Sequence, residues 1–122
     1  MPFCDLKISG YRYVSVEAKT WENARDHCIE LGGHLMEIRT QDENDRAHIL
    51  FGDSPFWLGA SDIEEEGHWV WESNQEDVNL NEFWFEGRPS DNSQRNCLIL
   101  FPDRGMFDYI CSDRFNSFCD MK

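Results

Sequence analysis

Five cysteines, Cys4, Cys28, Cys97, Cys111 and Cys119, carry the plainest chemistry in this chain of 122 residues. None sits in a C-x-x-C pair of the kind that zinc ribbons and thioredoxin-type redox sites use, so they read as disulfide staples. An odd count suits two bridges within the chain and one leftover thiol, most simply Cys4, three residues from the start. Cys4 is expected to join two chains in a disulfide-linked dimer; the alternative is a free or capped thiol. Disulfides persist outside the reducing cytosol, which points to a secreted, extracellular protein.

The other reactive residue types do not assemble into a catalytic pattern. His27, His34, His48 and His68 stand apart without an H-E-x-x-H arrangement, and neither a G-x-S-x-G elbow nor a P-loop is present. His27 beside Cys28 reads as helix surface next to a structural disulfide rather than a Cys-His nucleophile pair, and there is no zinc set. Two carboxyl groups across a glycosidic bond would suit sugar hydrolysis, but with 24 Asp and Glu residues chance pairings are expected. The sequence is not that of an enzyme on these grounds.

Those 24 acidic residues face only 11 basic ones, for a net charge of -13. Such a surface repels a phosphate backbone and an anionic membrane, so neither nucleic acid nor an anionic membrane surface is expected as a partner. No apolar run approaches the roughly 20 residues that cross a bilayer, so membrane insertion is not expected. The N-terminus lacks a basic segment followed by an apolar stretch, and the chain reads as soluble and mature, whether Met1 is an initiator or follows a removed leader. Asn-x-Ser and Asn-x-Thr sequons are absent. Length and aromatic content, with nine Phe, five Trp and three Tyr, suit one domain over residues 1–122 with a well-filled core.

The elements that must position any site follow from spacing. Lys7 to Val16 alternates weakly and favours an opening strand. Thr20 offers an N-cap hydroxyl, and Trp21, Ala24, Cys28 and Leu31 follow at helical spacing until Gly32-Gly33 stops the pattern. Leu35, Met36 and Ile38 make a short strand. Thr40-Gln41-Asp42-Glu43 has the form of a capping box, and a second helix runs from it to about Phe51. Phe56-Trp57-Leu58-Gly59 and Trp69-Val70-Trp71 read as strands on either side of the acidic Asp62-to-Glu66 turn. From Glu72 to Asn96 there is little periodicity and only Phe83-Trp84-Phe85 as an anchor; a loop of that length in a compact domain is usually functional. Cys97 to Phe101 is a strand, Pro102 to Gly105 a turn, Phe107 to Cys111 the hairpin partner, and Phe115 to Cys119 closes the chain. One strand, two helices and then several strands make an α+β fold.

In this order the residues resemble the C-type lectin-like domain over nearly the whole chain. The similarity lies in Thr20-Trp21-Glu22-Asn23-Ala24 with Cys28, Leu31-Gly32-Gly33-His34-Leu35, and the Glu43-Asn44-Asp45 helix. It continues through Trp57-Leu58-Gly59, the turn from Asp62 to Gly67 before Trp69, Pro89 in the long loop, and Cys97, Cys111 and Cys119. The resemblance implies a C-type lectin-like fold with two helices, antiparallel sheets and a long functional loop. It also implies the bridges Cys28–Cys119 and Cys97–Cys111.

Sugar-binding members of that family hold one calcium ion on the long loop through a proline-centred motif, a Glu two residues before the third family cysteine, and an Asn-Asp pair after a Trp. Here those positions read Arg88-Pro89-Ser90, Arg95 and Met106-Phe107-Asp108. Calcium takes six to eight hard oxygen ligands, and of the five ligand positions only Asp108 remains a good one. No metal or other cofactor is therefore expected at the usual sugar site. A second family position is matched by Asp62, Glu66 and Asp91, with Arg95 again in place of the shared Glu. A guanidinium pairs with carboxylates in fixed fork geometry, so Arg95 is expected to take the place of the ion and order the loop; the alternative is a plain solvated turn.

A metal-free sugar site needs forked donors, a carboxylate acceptor and an aromatic ring. Arg88, Ser90, Asp91, Asn92 and Asp108 supply the polar set, and Phe107 or Tyr109 a ring for an apolar face or an acetamido methyl. In size and in the basic residue before the motif proline, the chain resembles short secreted bivalve lectins that bind N-acetylhexosamines without calcium. That resemblance implies a secreted lectin for GlcNAc- or GalNAc-type glycans, with a role in agglutination or innate recognition of microbial surfaces. In the competing reading Phe107 packs into the core, Arg88 pairs with Glu86 or Asp91, and no sugar site survives. A further alternative is a domain that recognises a protein or lipid partner through its loop face, with Phe83-Trp84-Phe85 either exposed there or packed beneath the loop.

Overall fold

The computed structural model describes residues 12–78, 83–90 and 92–121. Cys4, Asp91 and the first part of the expected opening strand lie outside them. Strand β1 (Tyr13–Lys19) leads into helix α1 (Trp21–Glu30), then β2 (His34–Leu35) and helix α2 (Gln41–Phe51). Strands β3 (Phe56–Ser61), β4 (Val70–Trp71), β5 (Cys97–Phe101), β6 (Gly105–Tyr109) and β7 (Phe115–Asp120) complete the chain.

Both helices begin where side-chain oxygens satisfy their free N-terminal amides. The Thr20 hydroxyl accepts from the Asn23 amide in α1, and at α2 Thr40 and Glu43 form the full reciprocal capping box. Helix α1 buries Trp21, Ala24 and Cys28, the stripe that the spacing predicts.

The seven strands form one sheet in the order β1-β7-β3-β5-β6, with β2 added on β7 and β4 on β3. Among the described strands the pairings are antiparallel except β3 with β7, which run parallel and meet at Trp57 and Ser117. The sheet is therefore mixed, because the chain's last strand inserts between β1 and β3 rather than adding at an edge.

Strand β3 is buried along its whole length, and its side chains alternate between two cores. Phe56, Leu58 and Ala60 join Leu98, Leu100, Met106, Trp69 and Trp71 on one side. Trp57 joins Ile99, Phe107, Trp21 and the sulfurs of Cys28, Cys97 and Cys119 on the other. The first cluster also takes Met36 and Ile38, which lie in extended chain beyond the end of β2. The Met36 amide there donates to the Phe118 carbonyl, and the Gly59 amide donates back to the Met36 carbonyl. Two disulfides tie the frame. Cys28–Cys119 joins α1 to β7, and Cys97–Cys111 closes the hairpin of β5 and β6, each with Cα atoms 5.3 Å apart.

Candidate functional site

Strand β6 is the outermost strand of the sheet, and the long loop covers it. Trp84 bridges in parallel to Met106, the Phe85 amide donates to the Met106 carbonyl at 2.9 Å, and the Arg88 amide closes a turn onto the Phe85 carbonyl. These bonds bring Arg88 and Ser90 over Asp108. The Arg88-Pro89 peptide bond between them is cis.

Asp108 is only 1 % exposed, and a carboxylate so placed needs donors on both oxygens. Arg88 supplies one through Nη1, at 3.0 Å from Oδ1, and the same nitrogen reaches the Asp108 carbonyl at 3.2 Å. Ser90 supplies two, its amide at 3.0 Å and its hydroxyl at 2.5 Å from Oδ2. Burial alone would raise the Asp108 carboxyl; the Ser90 hydroxyl and amide and the Arg88 guanidinium outweigh it and hold the group below its ordinary value. Arg88 thus pairs with Asp108, and among the described residues it makes no pair with Glu86; Asp91, the other partner in the competing reading, lies outside them.

The Arg88 guanidinium also lies 4.8 Å from the Phe107 ring centre, so the side chain reaches both faces of β6. Phe107 itself is 8 % exposed, stacked on Phe85 at 4.7 Å and edge-on to Phe101 at 4.9 Å. The open ring face expected of Phe107 is therefore not available, since β6 directs that side chain into the core beside Ile99. Tyr109 is half-buried against Phe115, with the Arg95 guanidinium 5.7 Å from its ring centre. Pro89 is half-buried, while Ser90 and Asn92 are exposed, the Asn92 amide donating to the Ser90 hydroxyl at 3.3 Å.

Arg95 shares a small cleft of about 50 Å³ with Asp62, Glu66, Pro89 and Asp108. Its guanidinium lies over the Tyr109 ring, and Asp91, the third carboxylate of the expected set, lies outside the described residues. Asp62 is instead tied by its own loop: Oδ2 accepts from the Gly67 amide at 2.8 Å, while Oδ1 is buried without a partner among the described residues.

Two features were not legible in the sequence. The Phe83-Trp84-Phe85 cluster divides, with Phe83 at 6 % exposure, Trp84 half-buried and Phe85 at 39 % on the surface, because the Trp84–Met106 bridge sets which way each ring turns. His68 Nε2 lies 2.7 Å from Asp77 Oδ1, tying the acidic turn to the start of the long loop. Nothing in the spacing of nine residues marks that pair.

A mixed sheet with two capped helices, a disulfide-closed hairpin and a long loop folded over its edge defines a lectin-like recognition domain. The lectin C-type domain family matches residues 17–121, and the chain belongs to that family. It is 31% identical to the natural killer cells antigen CD94 of Bos taurus over 95% of this chain, which spans 60% of that relative's length. Among solved structures, a calcium-independent type II antifreeze protein superimposes with a TM-score of 0.79 at 24% identity, covering 88% of this chain and 82% of the other. At that identity the likeness extends to fold alone. The carbohydrate-recognition domain of cow CD23, solved in the presence of a GlcNAc2Man3 oligosaccharide, superimposes at 0.76 with 29% identity, over 88% and 84% of the two chains.

Proposed function

We propose that this domain binds glycans of the N-acetylhexosamine type at the loop face around Arg88, without calcium at the usual sugar position. The observation that carries this reading is the division of labour at Arg88. Its Nη1 alone holds Asp108, which leaves Nε and Nη2 as uncommitted donors among the described residues, on a side chain 24% exposed. A guanidinium fixed on one side and free on the other is a preorganised partner for sugar hydroxyls or an acetamido carbonyl. Ser90, Asn92 and Arg95 add polar contacts, and Tyr109 an aromatic edge for the acetamido methyl. Both Asp108 oxygens already accept hydrogen bonds and the Arg88 cation stands 3.0 Å from one of them, so a calcium ion there would compete with protein donors and meet a like charge. The role is recognition without turnover.

Glycan-array binding in chelator tests the reading. Retained binding, competed by free GlcNAc or GalNAc, is expected; silence across all glycans, or binding only with added calcium, overturns it. A second reading, recognition of a protein or lipid partner, draws on exposed Phe85 stacked over Phe107 and on the likeness to CD94. It is favoured if the array is silent and a partner captured by the domain is lost with Phe85→Ala.

Secretion fits two bridges that need an oxidising compartment. Those bridges use four of the five cysteines, and a Cys4–Cys4 link would pair two sites and raise avidity on a microbial surface. Non-reducing electrophoresis should show a dimer band that reductant abolishes; a monomer in both lanes removes the claim.

A further inference from the structure

A second cleft, of about 410 Å³, lies away from Asp108 between the acidic turn, β4 and helix α1. Ser61, Ile63, Glu64, Val70 and Glu72 line it. Three features there lack an internal explanation. The Glu72 carboxylate is half-buried with no hydrogen bond or salt bridge among the described residues, although removing a carboxylate from water is costly unless it is paired. Ser61 is 5 % exposed, and its hydroxyl likewise has no partner among the described residues. Ile63 holds 53 % of its surface open to solvent at the cleft.

Two cations, Arg25 and His68, also line the cleft, and each is held by other carboxylates. Arg25 pairs with Asp26 at 3.1 Å and Glu22 at 3.6 Å and lies over the Trp21 ring, while His68 pairs with Asp77 and with Glu65. A bare metal ion does not suit the site: among the described residues no group of three or more Asp, Glu, His or Cys is close enough to hold one. Spread carboxylates, a hydroxyl acceptor and an apolar wall fit a longer organic cation. Burial pushes the Glu72 carboxyl up, with Arg25 opposing this and Glu64 adding to it, so a further positive charge in the cleft would favour the carboxylate.

We infer that this cleft binds a primary alkylammonium group on an apolar stem, the chemistry of a lysine side chain or a small diamine. The ammonium donates to Glu72 and to the Ser61 hydroxyl, and its methylenes lie along Ile63 and Val70. This site is separate from the Arg88 face and does not depend on the glycan reading.

Backbone-amide NMR titration of the intact chain tests it with two probes, 1,5-diaminopentane and capped lysine, in salt at the physiological level that screens diffuse surface attraction. Saturable shifts confined to residues 61–72 are expected. Binding by both probes marks a lysine-accepting site, and binding by the diamine alone a small-amine site. Capped norleucine, which keeps the stem and lacks the charge, should not bind. Glu72→Gln and Ser61→Ala should each weaken affinity, Glu72→Gln by tenfold or more, while the remaining amide spectrum stays that of the folded chain. Linear, unsaturable shifts spread over the acidic surface, equal binding of norleucine, or an unchanged affinity in folded Glu72→Gln overturns the proposal.

Discussion

Asp108 shows how one carboxylate can be made structural. With 1 % exposure and donors from Arg88 and Ser90, it is a buried charge that has its counter-charge within reach. Replacing it by Ala strands the Arg88 guanidinium and two Ser90 donors, and Asp108→Ala should cost about 3–5 kcal/mol, measured by denaturant unfolding. Because its folded pKa is depressed, the stabilisation is present above the ordinary carboxyl value and is lost as pH falls through the folded one. His68 has the opposite sign. The hydrogen bond to Asp77 raises its pKa above the ordinary 6.5, so its contribution is complete below that value and is lost as pH rises through the folded one. The melting temperature of Asp77→Asn should fall below that of the parent at pH below the ordinary histidine value and converge with it as pH rises past the raised one. The pair is exposed, so added salt should narrow the gap.

At the scale of elements, the site depends on strands that pack without slack. Chain from β2 lies flush on β3: a Cβ built on Gly59 would stand 2.9 Å from the Leu35 carbonyl oxygen and 3.1 Å from the Leu35 Cβ. Backbone cannot give way as a side-chain tip can, so Gly59→Ala should destabilise by about 1–3 kcal/mol, with both helices retained in the far-UV spectrum. Elements of this kind were the most legible part of the chain. Thr20 and Thr40 marked both helix starts because capping is a local contest for backbone donors. The hairpin of β5 and β6 was legible from its apolar runs and turn. Strand limits were less so: β1 runs on to Lys19, and β2 stops at Leu35 though Met36 and Ile38 are buried. Burial is written in side-chain pattern, whereas ladder bonds depend on which neighbour arrives. The loop from Glu72 to Asn96 was legible as a loop, but not its bridge from Trp84 to Met106, which turns Phe85 outward and brings Arg88 to Asp108.

For the whole molecule, the Cys28–Cys119 bridge spans 91 residues and should restrict the unfolded chain by roughly 4–5 kcal/mol on the loop-entropy account. With that frame closed and Asp108 satisfied by protein donors, the fold should not need calcium. Melting temperatures in millimolar calcium and in chelator are expected to coincide. An ion bound at a hundred times its Kd would add about 2.7 kcal/mol and be plain in the comparison.

The sequence by itself determined the α+β layout and the helix caps, because residue type and local spacing are enough to decide each. Tertiary structure alone decided that β7 inserts parallel to β3, that Arg88 spends one nitrogen on Asp108, and that Phe107 turns inward while Arg95 lies over Tyr109. Those outcomes depend on which side of an edge strand each residue occupies and on what a distant segment brings against it, and neither is encoded by neighbours in the chain.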